Sequence, residues 1–151
     1  MCYNPKTKTV TGYGESKGLN SNIVRVVYAL SDGSVLVGNQ SGVNIIKDGK
    51  IIKSYGIEDG MDRTSILCAM ELNGKIYVGS DGSGIYELTD NGLVSHYTEE
   101  GLWLGVILRM TPDSDMNGNY YICAGSNLFY YEADKEEFRE LTGINFGSGS
   151  L

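Results

Sequence analysis

An all-β fold of repeated four-stranded sheets is predicted by three observations. They are a recurrence of about 42 residues, apolar residues that alternate with period two, and Gly-rich turns between successive runs. The recurrence is anchored on tyrosines. Tyr13 in "VTGYGESKGL", Tyr55 in "IKSYGIEDGM" and Tyr97 in "VSHYTEEGL" stand 42 residues apart each time, and Leu141 in "FRELTGI" takes the place 44 residues further on. A Gly-apolar pair follows each tyrosine, as Gly18-Leu19, Gly60-Met61 and Gly101-Leu102. Composition agrees, with 21 Gly and 11 Tyr against two Pro, because tyrosine favours strands and glycine favours turns.

The elements follow in order. "TKTVTGY" (7–13) reads as one N-terminal strand. The first unit then reads as four β-branched runs, 22–30, 34–38, 42–47 and 50–55, parted by "SDG", "NQS" and "DG". The Asp-Gly pairs among them adopt the positive φ that two-residue hairpins need. The second unit runs "SILCAMEL", "KIYVGS", "GIYELT", "LVSHY", and the third "VILRMT", "YYICAG", "NLFYYEA", "EFREL". Four strands in a repeat of ~40–50 residues is the pattern of a β-propeller blade, whose sheet buries its two faces only by stacking on neighbours. The chain therefore reads as a single β-propeller segment: one strand at 7–13, blades at 22–55, 64–97 and 105–142, and a tail at 143–151. Propellers close with four to eight blades, so the ring is incomplete unless copies associate or the chain is part of a longer propeller.

A formal charge of −7 without a basic stripe argues against sequence-independent binding to nucleic acid or to an anionic membrane. No apolar run has the length of a membrane-spanning helix, and none of signal-peptide type opens the sequence. The three cysteines lack C-x-x-C spacing and define no disulfide framework. Cys68 and Cys123 fall in apolar runs and read as small buried hydrophobes.

The first unit, "YGESKGLNSNIVRVVYALSDGSVLVGNQSGVNII", resembles the two-component regulator propeller repeat. Gly18, Leu19, Ser21 and Asn22 match that family's loop, with Asn20 in place of its proline. Asp32-Gly33 matches its turn, and Val35-Leu36-Val37-Gly38 its second strand. The second unit matches through Asp59-Gly60-Met61, Asn73-Gly74, Ile76-Tyr77-Val78-Gly79 and Gly84-Ile85-Tyr86. Leu36, Tyr77 and Cys123 stand where the family has tryptophan, as in a divergent member. The resemblance spans about residues 7–142. It implies a sensory role in bacterial signal transduction, as the ligand-sensing, extracytoplasmic part of a membrane receptor joined to an output module. Carbohydrate-derived ligands are what the family implies.

Chemistry is sparse. His96 is the single histidine, and no nucleophilic triad or zinc spacing can be assembled around it. "DSDMNGN" places Asp113, Asp115 and Asn117 like the first half of an EF-hand loop, but Ala124 stands where the bidentate Glu is needed. A polar hairpin turn is the preferred reading. "GSDGSG" reads as a turn because no helix follows it to present an N-terminus to phosphate. Glu99-Glu100 and "EADKEE" read as solvated surface rather than paired glycosidase carboxylates.

Propeller geometry supplies the binding candidates instead. Loops from one blade's outer strand to the next blade's inner strand gather on one face with the turns between second and third strands. That assigns Asn20, Asn22, Asp62, Arg63 and Trp103, with Asn39, Gln40 and Asp81, to one surface, and Arg25 to the inner strand beneath it. An indole beside amides and carboxylates suits a sugar face.

The sequence reads as a non-catalytic ligand-sensing propeller segment with no metal and no cofactor. Its partners are a small-molecule or oligosaccharide ligand and either further copies of the chain or the rest of a longer propeller. A self-assembling interaction scaffold is the alternative, and a propeller-type glycosidase or lyase ranks below both.

Overall fold

The computed structural model describes residues 1–62, 64–96, 105–115 and 117–142. Among these, strands form three four-stranded antiparallel sheets and one two-stranded sheet. Blade 1 is β3 (Val24–Ala29), β4 (Val35–Asn39), β5 (Gly42–Lys47) and β6 (Lys50–Tyr55). Blade 2 is β7 (Ile66–Leu72), β8 (Lys75–Ser80), β9 (Ile85–Thr89) and β10 (Gly92–Ser95). Blade 3 is β11 (Ile107–Pro112), β12 (Tyr120–Ala124), β13 (Asn127–Glu132) and β14 (Glu137–Glu140). Strand order within each blade follows the sequence.

The N-terminus departs from expectation. The strand expected over 7–13 is β2 (Thr9–Thr11), but it is paired in a hairpin with a second strand the alternation did not mark, β1 (Cys2–Asn4). The Asn4 Oδ1 accepts the amides of Lys6 (3.0 Å) and Thr7 (3.3 Å), which turns the chain just past Pro5. Three residues before a proline carry too short an alternation to be read as a strand.

Each inner strand carries the same irregularity. The register slips at Arg25 in β3, at Leu67 in β7 and at Leu108 in β11, a one-residue bulge that redirects the side chain from the ladder. Between blades 1 and 2, Leu36, Val43 and Ile45 pack against Met61, Ile66 and Val78. Between blades 2 and 3, Met70, Tyr77 and Ile85 pack against Ile107, Tyr120 and Ile122. Each fully buried aliphatic contributes roughly 1.5–3 kcal/mol.

The "Val-Gly" punctuation has a packing cause. A Cβ at Gly38 would lie 2.8 Å from Ile66 Cγ2 of the next blade, and one at Gly79 would lie 2.5 Å from Ile107 Cγ2. Glycine is what lets each inner strand close onto the preceding blade.

Candidate functional site

The loops that open the first two units are short 3-10 turns, Glu15–Lys17 in the first and Ile57–Asp59 in the second. Gly18 (φ 95°) and Gly60 (φ 99°) end these turns in the left-handed region. Leu19 and Met61 then plunge into the protein and are buried. These are the Gly-apolar pairs of the sequence. They fix where the next residues, Asn20 and Asp62, emerge.

At this point the two units diverge. The amide of Asn20 donates to Asn44 Oδ1 at 3.0 Å, whereas the amide of Asp62 donates to the Tyr86 hydroxyl at 3.1 Å. Around Asn44 a polar network closes. Its Nδ2 reaches Asn20 Oδ1 (3.0 Å) and Ser54 Oγ (2.8 Å), while Asn39 Nδ2 donates to Asn44 Oδ1 (2.9 Å). Asn20 Nδ2 donates to the Tyr55 carbonyl at 2.8 Å. Asn39 is 0% exposed, and its Oδ1 accepts the Ser41 amide.

Two site assignments are corrected by this network. Asn39 is an internal strut, since none of it reaches solvent. The Asn20 side chain is half-buried with both its groups spent inside the protein. Asn44 was missed by sequence reasoning. Its signal was an amide in the apolar run "GVNII" at the position of Tyr86 in the next unit.

The remaining candidates separate further. Asn22 is exposed but caps its own loop, exchanging hydrogen bonds with Glu15 through Asn22 Oδ1 (3.0 Å) and its backbone amide (2.9 Å). Gln40 and Asp81 occupy equivalent turns. Their backbone amides donate to the carbonyls of Ile23 (3.0 Å) and Ser65 (2.8 Å), just ahead of the inner strands. That leaves both side chains at the rim, exposed. Thr64 Oγ1 binds the Gln40 carbonyl at 3.0 Å, tying blade 2 to blade 1 there. Asp62 and the bulged Arg25 are exposed as well. Among the described residues no partner takes the side-chain polar atoms of Arg25, Gln40, Asp62 or Asp81. Arg63 and Trp103 lie outside the described residues.

The opposite end of the blades carries a cleft of about 470 Å³ between blades 1 and 2, reached by Leu30, Lys53, Glu71, Lys75 and Thr89. Its charges are satisfied within the protein. Lys53 Nζ donates to the Thr89 carbonyl (2.8 Å), Lys75 pairs with Glu87 (3.3 Å), and Glu71 accepts both the amide and the hydroxyl of Ser31. This cleft belongs to the fold more than to recognition.

His96 is half-buried. Its Nε2 lies 3.0 Å from Glu87 Oε2, and its ring meets Tyr77 edge-on. Burial pushes the Tyr77 hydroxyl up to about 12 and the Cys68 thiol up to about 11, so Cys68 is a thiol at neutral pH. Cys123 is half-buried. In the "DSDMNGN" turn, Asp113 accepts from the Tyr130 hydroxyl at 2.5 Å and from Ser114 Oγ at 3.3 Å. Both oxygens of Asp113 thus take part in the turn's own hydrogen bonds. In "EADKEE", Glu132 is bound by Lys135 and Arg139. Glu99 and Glu100 lie outside the described residues.

No protein-family model and no curated protein matches this sequence. Solved structures do. The extracellular domain of a protein described as the hybrid two-component system BT3049 of B. thetaiotaomicron superposes with a TM-score of 0.74 at 19% identity, over 87% of this chain and 18% of that one. The corresponding domain of BT4673 from the same organism gives 0.72 at 15% identity, over 98% of this chain and 22% of that one. Virginiamycin B lyase from Staphylococcus aureus gives 0.61 at 17% identity, over 78% and 40%. The chain thus spans about a fifth of the two-component-system domains it matches. At these identities the likeness is one of fold, and it agrees with the register and packing above: the chain is built of β-propeller blades.

Proposed function

We propose that this chain is a non-catalytic, ligand-binding segment of a sensory β-propeller in a bacterial receptor, acting outside the cytoplasm. The observation that carries the reading is the exposed polar rim of Arg25, Gln40, Asp62 and Asp81, in which the backbone amides of the last three are hydrogen-bonded and their side chains left available. The fold shared with extracellular domains of two-component systems supports the sensory role. No helix among the described residues is long and apolar enough to cross a membrane.

The ligand is a polar small molecule or oligosaccharide. Carboxylates and amides spaced along a rim accept and donate to hydroxyl groups, and the single tryptophan, Trp103, supplies the stacking face. That tryptophan is also the probe. Titration with a panel of neutral mono- and oligosaccharides should give a saturable change in its emission. Asp62→Ala and Asp81→Ala should weaken binding at least tenfold while leaving the melting temperature unchanged. An emission that no sugar alters, or binding that neither substitution weakens, would refute the reading.

A further inference from the structure

Blade 1 has two faces, and only the one toward blade 2 is covered across its width. The other face repeats the positions by which blade 2 docks on blade 1. Val24 and Val27 stand 42 residues before Ile66 and Ala69. Ile66 is 0% and Ala69 8% exposed, whereas Val24 is 43% and Val27 64% exposed. The hairpin β1–β2 borders this face through Cys2, with Tyr13 just beyond it. It leaves a cleft of about 460 Å³ reached by Cys2, Tyr13, Leu19, Val24, Val27 and Val37.

The hairpin sits at the 42-residue offset of β5–β6, with Tyr13 in the place of Tyr55. It therefore forms the outer half of a blade. β1 pairs with β2 along one edge, and its second edge has no strand partner among the described residues.

We propose that this face, together with the open edge of β1, is a docking surface for a two-stranded β-hairpin from polypeptide outside residues 1–151. That hairpin pairs with β1 and covers Val24 and Val27, continuing the two interfaces already formed between blades. Those interfaces state the chemistry the hairpin must have. It needs apolar side chains on one face and a glycine in its second strand opposite Val24, as Gly38 receives Ile66 and Gly79 receives Ile107.

Blade 3 of a second copy lacks this surface. Paired with Arg109, Cys123 occupies the place that Gly79 holds opposite Cys68. Where blade 2 offers Cys68, Met70 and Leu72 to its neighbour, blade 3 offers Arg109, Thr111 and Asp113. A whole blade would also have to displace β1–β2.

The test is to duplicate residues 21–42 directly in front of Met1, which keeps the 42-residue register. The extended chain should melt roughly 5 °C or more higher, given the apolar area covered. Amide exchange at Cys2–Asn4 should slow at the same time. Gly38→Leu in the added copy, or Val27→Lys in the original blade, should each remove the rise. No rise, or a rise that both substitutions leave intact, would overturn the proposal. So would a stable dimer of the unextended chain, by light scattering, that Val27→Lys dissociates, because a second copy would then be the occupant.

Discussion

The first and second units meet the same backbone requirement with different chemistry. In both, the residue after the buried Leu19 or Met61 presents an amide that must be accepted inside the blade. Asn44 accepts it in the first and the Tyr86 hydroxyl in the second. An asparagine at that position has a second group to satisfy, and it recruits Asn20, Asn39 and Ser54. A tyrosine at the same position meets that amide with its hydroxyl oxygen and gathers no such network among the described residues, and the carboxylate of Asp62 is left facing solvent. Identical backbone geometry thus yields a locked loop in one unit and a loop with an available side chain in the next. Function in a repeat fold is decided at this level, by what each repeat does with its own side chains.

The largest effect should come from Asn44→Ala, which strands the Asn20 amide and Asn20 Oδ1, Asn39 Nδ2 and Ser54 Oγ together. A loss of about 3 kcal/mol is expected in denaturant unfolding. A loss below about 1 kcal/mol would mean that the network is not a unit.

The second blade interface adds a dependence on base. Tyr77 has a folded value of about 12 against 10.0 when unfolded, mainly through burial. A folded value raised above the unfolded one contributes stability below pH 10, which is lost as pH rises from about 10 to 12. Melting temperature should fall across that window, and Tyr77→Phe should flatten the fall. An unchanged profile in Tyr77→Phe would assign the effect to other groups.

Tyr86→Phe removes a single acceptance from an exposed loop, and a cost of about 1 kcal/mol is expected by the same unfolding measurement. Asp62→Ala should change stability by less than about 0.5 kcal/mol, since its carboxylate makes no hydrogen bond or ion pair among the described residues. If Tyr86→Phe cost as much as Asn44→Ala, the contrast between the two loops would fail.

Much of this architecture was legible in the sequence because a blade is a local object. Alternation, turn dipeptides and the tyrosine spacing are set within about 42 residues, and the 3-10 turns end at the glycines that the repeat had marked. The pairing of β2 with β1 was not legible, because the three residues of β1 carry no periodicity. The site was legible only in its placement. Gln40 and Asp81 reach the rim because the second-to-third-strand turn brings them there, as the topology required. Asn20 and Asn39 share that address, but their partner Asn44 is 24 and five residues away. Hydrogen bonding across strands, which the alternation does not encode, turned them inward.

The measurement that tests this division most directly is hydrogen exchange of the side-chain amides, resolved residue by residue by NMR. The amide protons of Asn20, Asn39 and Asn44 should exchange at least a hundredfold more slowly than those of Gln40, which should exchange as in an unstructured peptide. Rapid exchange at Asn39 and Asn44, or protection at Gln40, would contradict the assignment of struts and rim.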